Sequence, residues 1–498
     1  MKVFLAVLVI LFVSENVQGQ MFDTPGRLRK KCKVPARKVS DALVSSVKID
    51  FFTQYLDHSD ASHAKTFKQR YFVDEQYASA EKDVAFLFID GESESSEDFI
   101  KSGEWVESAK KFNASLFLLE HRYFGKSIPT EDLSTENLKY LTVDQALADT
   151  ANFIEGIKTQ YKLAPDVKWI VFGCSYSGSL VAWFRQKYPD LTKGGVASSA
   201  PLVAKVNFAD YHKVVYDDIR SSKNGNQTGE ECISAVQKAF EQLNSKAQNK
   251  DGQLGLDNMF KLCDTITENN SAENLASLTD YLLYFFSGTA QYNKDNTDSG
   301  TPNLRTIDTV CDTMLNTTIG SELERLAFMY NQTMEEFDLD CLDYKYEKMI
   351  QKLKNITNFN SLRQWNYQSC TQFGYFQPTE IKPQIYGDKI TLEYYLHICE
   401  EVFGPTFNKT FLEKGVEETN KLYKGLDINV TNVVFLHGSF DPWHQLGIYE
   451  TKDEKAPAIY MKGAAHCANI YPAWKFDTPD ILAAREKTNQ LIAFWLSQ

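Results

Sequence analysis

Three residues far apart in the chain have the types that nucleophilic acyl transfer needs: Ser175, Asp441 and His466. A serine hydroxyl is a poor nucleophile near neutral pH. A histidine, with an unperturbed pKa of about 6.5, can take its proton and later give it to a leaving group. A carboxylate orients the imidazole and stabilises its cation. Ser175 stands in Gly173-Cys174-Ser175-Tyr176-Ser177-Gly178. Small neighbours allow the strained strand-to-helix turn of a nucleophile elbow, which leaves the serine Oγ exposed at the strand end. The following N–H, that of Tyr176, then sits at a helix N-terminus, where developing negative charge is stabilised. Ser177 breaks the usual G-x-S-x-G spacing, so this run alone reads equally as a Gly/Ser loop joining two elements.

The flanking patterns supply the elements such a turn requires. Val167 to Phe172 is an apolar, β-branched and aromatic run that predicts a buried strand. Leu180, Val181, Trp183, Phe184 and Tyr188 recur at helical spacing. Further strands are predicted at Val47 to Tyr55, Thr66 to Phe72, Asp83 to Ile89, Ala114 to Glu120 and Gly195 to Ser199. Helices are predicted at Phe99 to Phe112 and Val143 to Lys158. The pattern returns late, with strands at Asn432 to Leu436 and Ala456 to Met461 and a helix at Pro479 to Leu496. Such alternation predicts an α/β fold on a parallel sheet. Ser175, Asp441 and His466 each follow a strand, and that edge of an open parallel sheet carries the site. Their order along the chain is that of the α/β-hydrolases. His437 and His444 also lie near Asp441, but His437 is at a strand end and His444 follows the aspartate too closely to reach around it. Asp441-Pro442 taken alone is also a turn signal.

From about Val203 to Leu426 the sequence is polar, mostly helical in character and rich in cysteine, with a loop-like segment at Ser287 to Pro302. The expected organisation is a secretory leader at 1–19, a basic arm at 20–45, the hydrolase core at 46–202 and 427–498, and a helical cap inserted at 203–426. Lys2, the apolar run Val3 to Val13 and Val17-Gln18-Gly19 make the leader. The arm reads as a solvated tail or a short pro-segment. Nine cysteines suit an oxidising route. Cys174, inside the elbow, reads as a free packed thiol. The other eight permit full pairing, with connectivity open. No C-x-x-C or H-E-x-x-H spacing points to zinc, and no cofactor is implied. Sequons at Asn113, Asn226, Asn269, Asn316, Asn331, Asn355, Asn408 and Asn429 are candidate glycan sites. A net charge of −13 disfavours nucleic acid and anionic membrane as partners.

The chain resembles the secreted and lysosomal serine peptidases that include lysosomal Pro-Xaa carboxypeptidase, dipeptidyl peptidase II and thymus-specific serine protease. The resemblance runs from about Phe51 through the mature chain. It is carried by Phe52-Thr53-Gln54-Tyr55-Leu56-Asp57-His58, Thr66-Phe67-Lys68-Gln69-Arg70-Tyr71, Glu120-His121-Arg122-Tyr123-Phe124-Gly125-Lys126-Ser127, the elbow, Trp365-Asn366-Tyr367-Gln368-Ser369-Cys370-Thr371, Asp441-Pro442-Trp443 and Gly463-Ala464-Ala465-His466. Ser177-Gly178-Ser179-Leu180 and His466-Cys467-Ala468 look most like the thymus-specific branch.

The resemblance implies an α/β-hydrolase core with a helical, disulfide-stapled cap, and Ser175, Asp441 and His466 as a triad. It implies oxyanion donors from Tyr176 and the Gly91–Glu92 loop, and a proline pocket walled by Tyr176 and Trp443. It also implies the bridges Cys232–Cys311, Cys263–Cys341 and Cys370–Cys399, leaving Cys32 and Cys467 unassigned. Two positions depart from the family pattern: the glycine-rich loop reads Asp90-Gly91-Glu92-Ser93, and the acidic residue after Cys-Thr reads Gln372. The expected activity is that of a secreted or lysosomal serine exopeptidase on short peptides, preferring proline before the scissile bond. It needs no cofactor and no stable membrane insertion, and a homodimer is left open. An esterase or lipase on the same fold, or a catalytically silent binding glycoprotein, are the other readings.

Overall fold

Apolar residues alternate in direction along each central strand, and both faces are buried, so helices must cover the sheet on both sides. In the computed structural model, β3 (Val84–Ile89) turns Phe86 and Phe88 to one face and Ala85, Leu87 and Ile89 to the other. The structure describes residues 46–498 apart from 61, 63, 225–226, 269–270, 295–305, 337, 452 and 476. The leader, the basic arm, Cys32, Asn226 and Asn269 lie outside the described residues.

Eight strands form the main sheet. They are β1 (Lys48–Tyr55), β2 (Thr66–Asp74), β3, β4 (Ser115–Leu119), β5 (Lys168–Cys174), β6 (Gly194–Ser198), β7 (Val433–Gly438) and β8 (Ala458–Met461), ordered β1-β2-β4-β3-β5-β6-β7-β8. All neighbouring pairs from β4 to β8 are parallel. The sheet is mixed rather than wholly parallel, because β2 runs antiparallel to β1 and β4. The link from Leu56 to Lys65 is too short for the crossover that a parallel pair demands. This is an α/β-hydrolase core, the fold expected.

One face is covered by α1 (Glu97–Lys101), α2 (Glu104–Phe112) and the C-terminal helix. The single helix expected over Phe99 to Phe112 is broken at Gly103, whose φ of 133° L side chains rarely adopt. The other face carries α3 (Val143–Tyr161) and α4 (Tyr176–Lys187). Between β6 and β7 the chain leaves the main sheet. There follow α5 (Asp210–Arg220), α6 (Gly229–Lys246), α7 (Lys250–Met259), α8 (Ala272–Gln291), α9 (Ile307–Leu315), α10 (Glu322–Glu336), α11 (Tyr346–Lys354), α12 (Leu362–Gln368), α13 (Leu392–Phe403) and α14 (Lys409–Tyr423). The chain then returns to β7 and β8 and closes with α15 (Pro479–Ser497). The apolar residues of this helical region merge with those of α3 and α4 into one cluster, so it shares a core with the sheet.

Three bridges staple the helical region: Cys232–Cys311, Cys263–Cys341 and Cys370–Cys399, with Cα–Cα distances of 5.3, 4.9 and 5.7 Å. Cys174 is not a free thiol: it is bonded to Cys467, with Cα atoms 5.9 Å apart. The segment Ser287 to Gln291, expected as loop, completes α8. Among the described residues no helix is long and apolar enough to cross a membrane. Asn113, Asn316, Asn355, Asn408 and Asn429 are exposed. Asn331 differs, since its Nδ2, the atom a glycan would occupy, donates to the Met259 carbonyl at 3.0 Å.

Candidate active site

β5 ends at Cys174 and α4 begins at Tyr176, so Ser175 alone makes the turn, with φ 62° and ψ −133°. A non-glycine residue at positive φ is strained and persists only where its surroundings impose it. Two contacts impose it here. The Ser175 N–H donates to the Ser198 carbonyl at 2.9 Å, and the Cys174 N–H donates to Ser177 Oγ at 2.8 Å. Ser177 therefore fits the elbow. The close approach to β6 falls at Gly178, where a Cβ would lie 2.5 Å from the Ser198 carbonyl oxygen.

Of the three histidines near Asp441, His466 alone bonds its carboxylate, with Nδ1 2.8 Å from Oδ1. The same Oδ1 accepts the Trp443 N–H at 3.0 Å. Burial opposes ionisation of Asp441, but the pull of His466, with help from His437 and Ser199, holds its carboxyl below the usual carboxylate range. His444 turns away and donates through Nδ1 to the backbone carbonyl of Asp441 at 2.6 Å. His437 is fully buried, and burial depresses its pKa to about 4, so it stays neutral near pH 7. Ser175 and His466 line one cavity of about 650 Å³.

Gly91 packs against the elbow, where a Cβ on it would lie 3.4 Å from Ser177 Cβ. Its N–H donates to the Asp90 carboxylate at 2.8 Å, and the Ser95 hydroxyl donates to the other carboxylate oxygen. Burial raises the Asp90 pKa to about 6. The wall from Asp90 to Asp98 brings Asp90, Glu92, Glu94, Glu97 and Asp98 to the cavity, against Arg70 and Lys101. Gln372 is turned elsewhere and accepts the Val143 N–H at 3.3 Å.

Tyr176 and Trp443 both border the cavity and belong to one aromatic run. Tyr176 meets Phe373 at 5.3 Å between ring centroids, Phe373 stacks on Tyr375 at 5.4 Å, and Tyr375 meets Trp443 at 5.3 Å. The Tyr176 ring is also fixed by polar contacts. His121 Nδ1 lies 2.7 Å from the Arg122 carbonyl, which only accepts, so Nδ1 carries the hydrogen. Burial lowers the His121 pKa to about 4 and keeps the ring neutral, so Nε2 accepts from the Tyr176 hydroxyl at 3.1 Å. The Gln368 amide donates to that same hydroxyl at 3.1 Å.

Sequence reasoning missed Gln291, at the end of α8. Its backbone carbonyl accepts the His466 N–H at 2.9 Å. Its Oε1 accepts from Tyr211 Oη at 2.7 Å and from Trp443 Nε1 at 3.1 Å. The neighbouring Tyr292 sets its ring edge against the His466 imidazole, 6.1 Å between centroids. Only the apolar period running through to Ala290 signalled that α8 extends this far. Cys174, Cys467 and His466 are the one group among the described residues with ligand atoms close enough for a metal. The two sulfurs are bonded to each other and so offer no thiolate.

Comparison with known proteins adds an independent line. Residues 54–488 match the family model described as serine carboxypeptidase S28. A Caenorhabditis elegans protein named as a serine protease is 34% identical, over 90% of this chain and 85% of its own. The thymus-specific serine protease of Mus musculus is 30% identical over 89% of this chain and 86% of its own. The lysosomal Pro-X carboxypeptidase of Homo sapiens is 24% identical over 91% of this chain and 89% of its own.

Proposed function

The chain belongs to the serine carboxypeptidase S28 family, which makes it a serine-type peptidase, and on that premise we propose that it is an exopeptidase acting on short peptides through an acyl-enzyme. The observation that carries this reading is that the buried Asp441 bonds His466, of three nearby histidines, and that His466 shares one cavity wall with Ser175. Ser175 Oγ attacks the scissile carbonyl while His466 Nε2 takes its proton. The same proton goes to the departing amine, and water repeats the sequence on the ester. Asp441 keeps the Nδ1–H of His466 in place and offsets the charge of the imidazolium. The oxyanion donors are the N–H of Tyr176 and the Gly91–Glu92 loop. Within that loop the Gly91 N–H donates to the Asp90 carboxylate, which anchors the loop beside the elbow.

The substrate reading rests on shape. A cavity of about 650 Å³ suits a ligand of a few residues, not a folded chain. The insertion 203–426 acts as the cap, supplying Tyr211, Gln291, Trp365 and Tyr375 to its lining. Flat aromatic walls from Tyr176 to Trp443 favour a rigid apolar ring, which supports proline before the scissile bond. A relative named for Pro-X carboxypeptidase activity supports the same choice. Four disulfides and a lysosomal relative support passage through the secretory pathway, with glycans on the exposed sequons.

A fluorophosphonate probe tests the chemistry. Labelling at Ser175 is expected, lost in Ser175→Ala and in His466→Ala but kept in His437→Ala. Correctly folded protein that takes no label would refute the reading. A peptide library read by mass spectrometry then reports terminus and proline preference. Turnover of esters without any peptide cleavage would move the assignment to an esterase.

A further inference from the structure

The two cysteines least accounted for lie beside the two residues that move the proton. Cys174 immediately precedes Ser175, Cys467 immediately follows His466, and they are bonded to each other. We propose that the Cys174–Cys467 bridge is a positioning element of the catalytic machinery, clamping nucleophile to base, and that opening it with a dithiol switches the enzyme off. This rests on the assignment of Ser175 and His466 given above.

The fold explains why a clamp is useful. β5 and β8 stand three strand spacings apart, about 14 Å. β8 has four residues and is the sheet's edge strand. The loop that follows it must therefore fold back over β7 and β6 to bring His466 to the elbow. The backbone hydrogen bonds of the two segments lead elsewhere. The Ser175 N–H goes to the Ser198 carbonyl, the His466 N–H to the Gln291 carbonyl and the Cys467 N–H to Ser199 Oγ. Cys467 itself sits at φ 59°, a turn that a side chain does not adopt freely. The disulfide joins the two segments directly.

The bridge is also within reach of a reagent. Cys174 is half-buried and borders the active-site cavity, whereas Cys467 is fully buried. A dithiol's thiolate would attack Cys174 Sγ and release Cys467 as a thiolate. The reagent's second thiol would then close on the mixed disulfide and free Cys174. The protein bridge gains two electrons and the dithiol becomes a cyclic disulfide.

The test uses the full chain. A non-reducing peptide map is expected to show Cys174 joined to Cys467. The double variant Cys174→Ala/Cys467→Ala is expected to react with the fluorophosphonate at least about tenfold more slowly than wild type. Its kcat should fall and its KM stay within about twofold, a split that general loosening of the fold would not give. Dithiothreitol, at a concentration that the map shows to spare the three cap bridges, should slow wild type to the same degree and leave the variant unchanged. Should the double variant fail to fold, the dithiothreitol arm on wild type decides alone. A free Cys174 in the map, a double variant that labels at the wild-type rate, or equal slowing of both proteins by dithiol would each overturn the proposal. Wild type that takes no label at all refutes the peptidase assignment instead, and the proposal falls with it.

Discussion

Asp90 should make the fold pay for its own ionisation, and Asp90→Asn isolates that cost. The half-buried carboxylate lines the cavity beside the elbow, and loss of water around it lifts its pKa from the ordinary 3.8 to about 6. Between those two values the folded chain keeps a proton that the unfolded chain has already released. Stability therefore falls as pH rises through this window and levels off above about pH 6. A rise from 3.8 to about 6 is worth about 3 kcal/mol. In the asparagine variant Oδ1 can still accept the Gly91 N–H, and the amide can donate to Ser95 Oγ. That variant should lose the fall, and near pH 7 it should gain up to about 3 kcal/mol over wild type.

For a chain of this length, with an unfolding entropy of roughly 2.1 cal/mol/K per residue, the gain corresponds to a Tm rise of about 3 °C. The assay is thermal unfolding of wild type and variant in steps from pH 4 to pH 7.5. The difference in Tm should grow between about pH 4 and pH 6 and then stay flat. A difference that is constant across the range would refute the reasoning, because it would mean that Asp90 titrates alike in both states. Activity separates charge from anchoring. Asp90→Asn should keep kcat/KM within about threefold. Asp90→Ala removes the acceptor for Gly91 and Ser95 and should lower kcat about tenfold by freeing the loop proposed to hold the oxyanion.

Two other perturbations address the substrate. Five carboxylates against two cations on the Asp90 to Asp98 side of the cavity favour a substrate ammonium and penalise a free carboxylate. Glu92→Gln/Glu94→Gln should therefore raise kcat/KM for peptides with a free C-terminus near the scissile bond by about tenfold relative to their amides, at about 1 kcal/mol or less per charge. An unchanged ratio would show that this wall does not face the substrate's terminus. Gln291→Ala keeps the backbone carbonyl that holds His466 but removes the acceptor shared by Trp443 and Tyr211. It should raise KM for prolyl substrates about tenfold and leave the fluorophosphonate rate within about twofold. A matching loss in both would place Gln291 on the chemistry instead.

What the sequence made legible was local. The elbow, its strand and helix, and the serine, aspartate and histidine at three strand ends follow from short patterns that need no knowledge of distant segments. Errors arose at two local breaks in the pattern and where a distant segment decides. The hairpin geometry of β1 and β2 turns part of an expected parallel sheet antiparallel. Gly103 splits a helix whose apolar period runs unbroken across it. The partner of Cys174 lies 293 residues away, and no spacing rule reaches it. Gln291 is an ordinary glutamine until α8 delivers it beside His466.

The same logic explains residues that the family pattern marks without explaining. Glu120-His121-Arg122 is a charged run in sequence, yet each member has a separate task in the fold. Glu120 accepts from Arg70, Ser95 and Ser127, and Arg122 forms a bidentate pair with Asp149. His121 is neutral and holds the Tyr176 hydroxyl from the core side, while Gln368 holds it from the helical region. Tyr176 lends its backbone to the elbow and its ring to the aromatic wall. Any shift of α12 against the sheet therefore bears on a side chain that lines the cavity and whose backbone N–H is a proposed oxyanion donor.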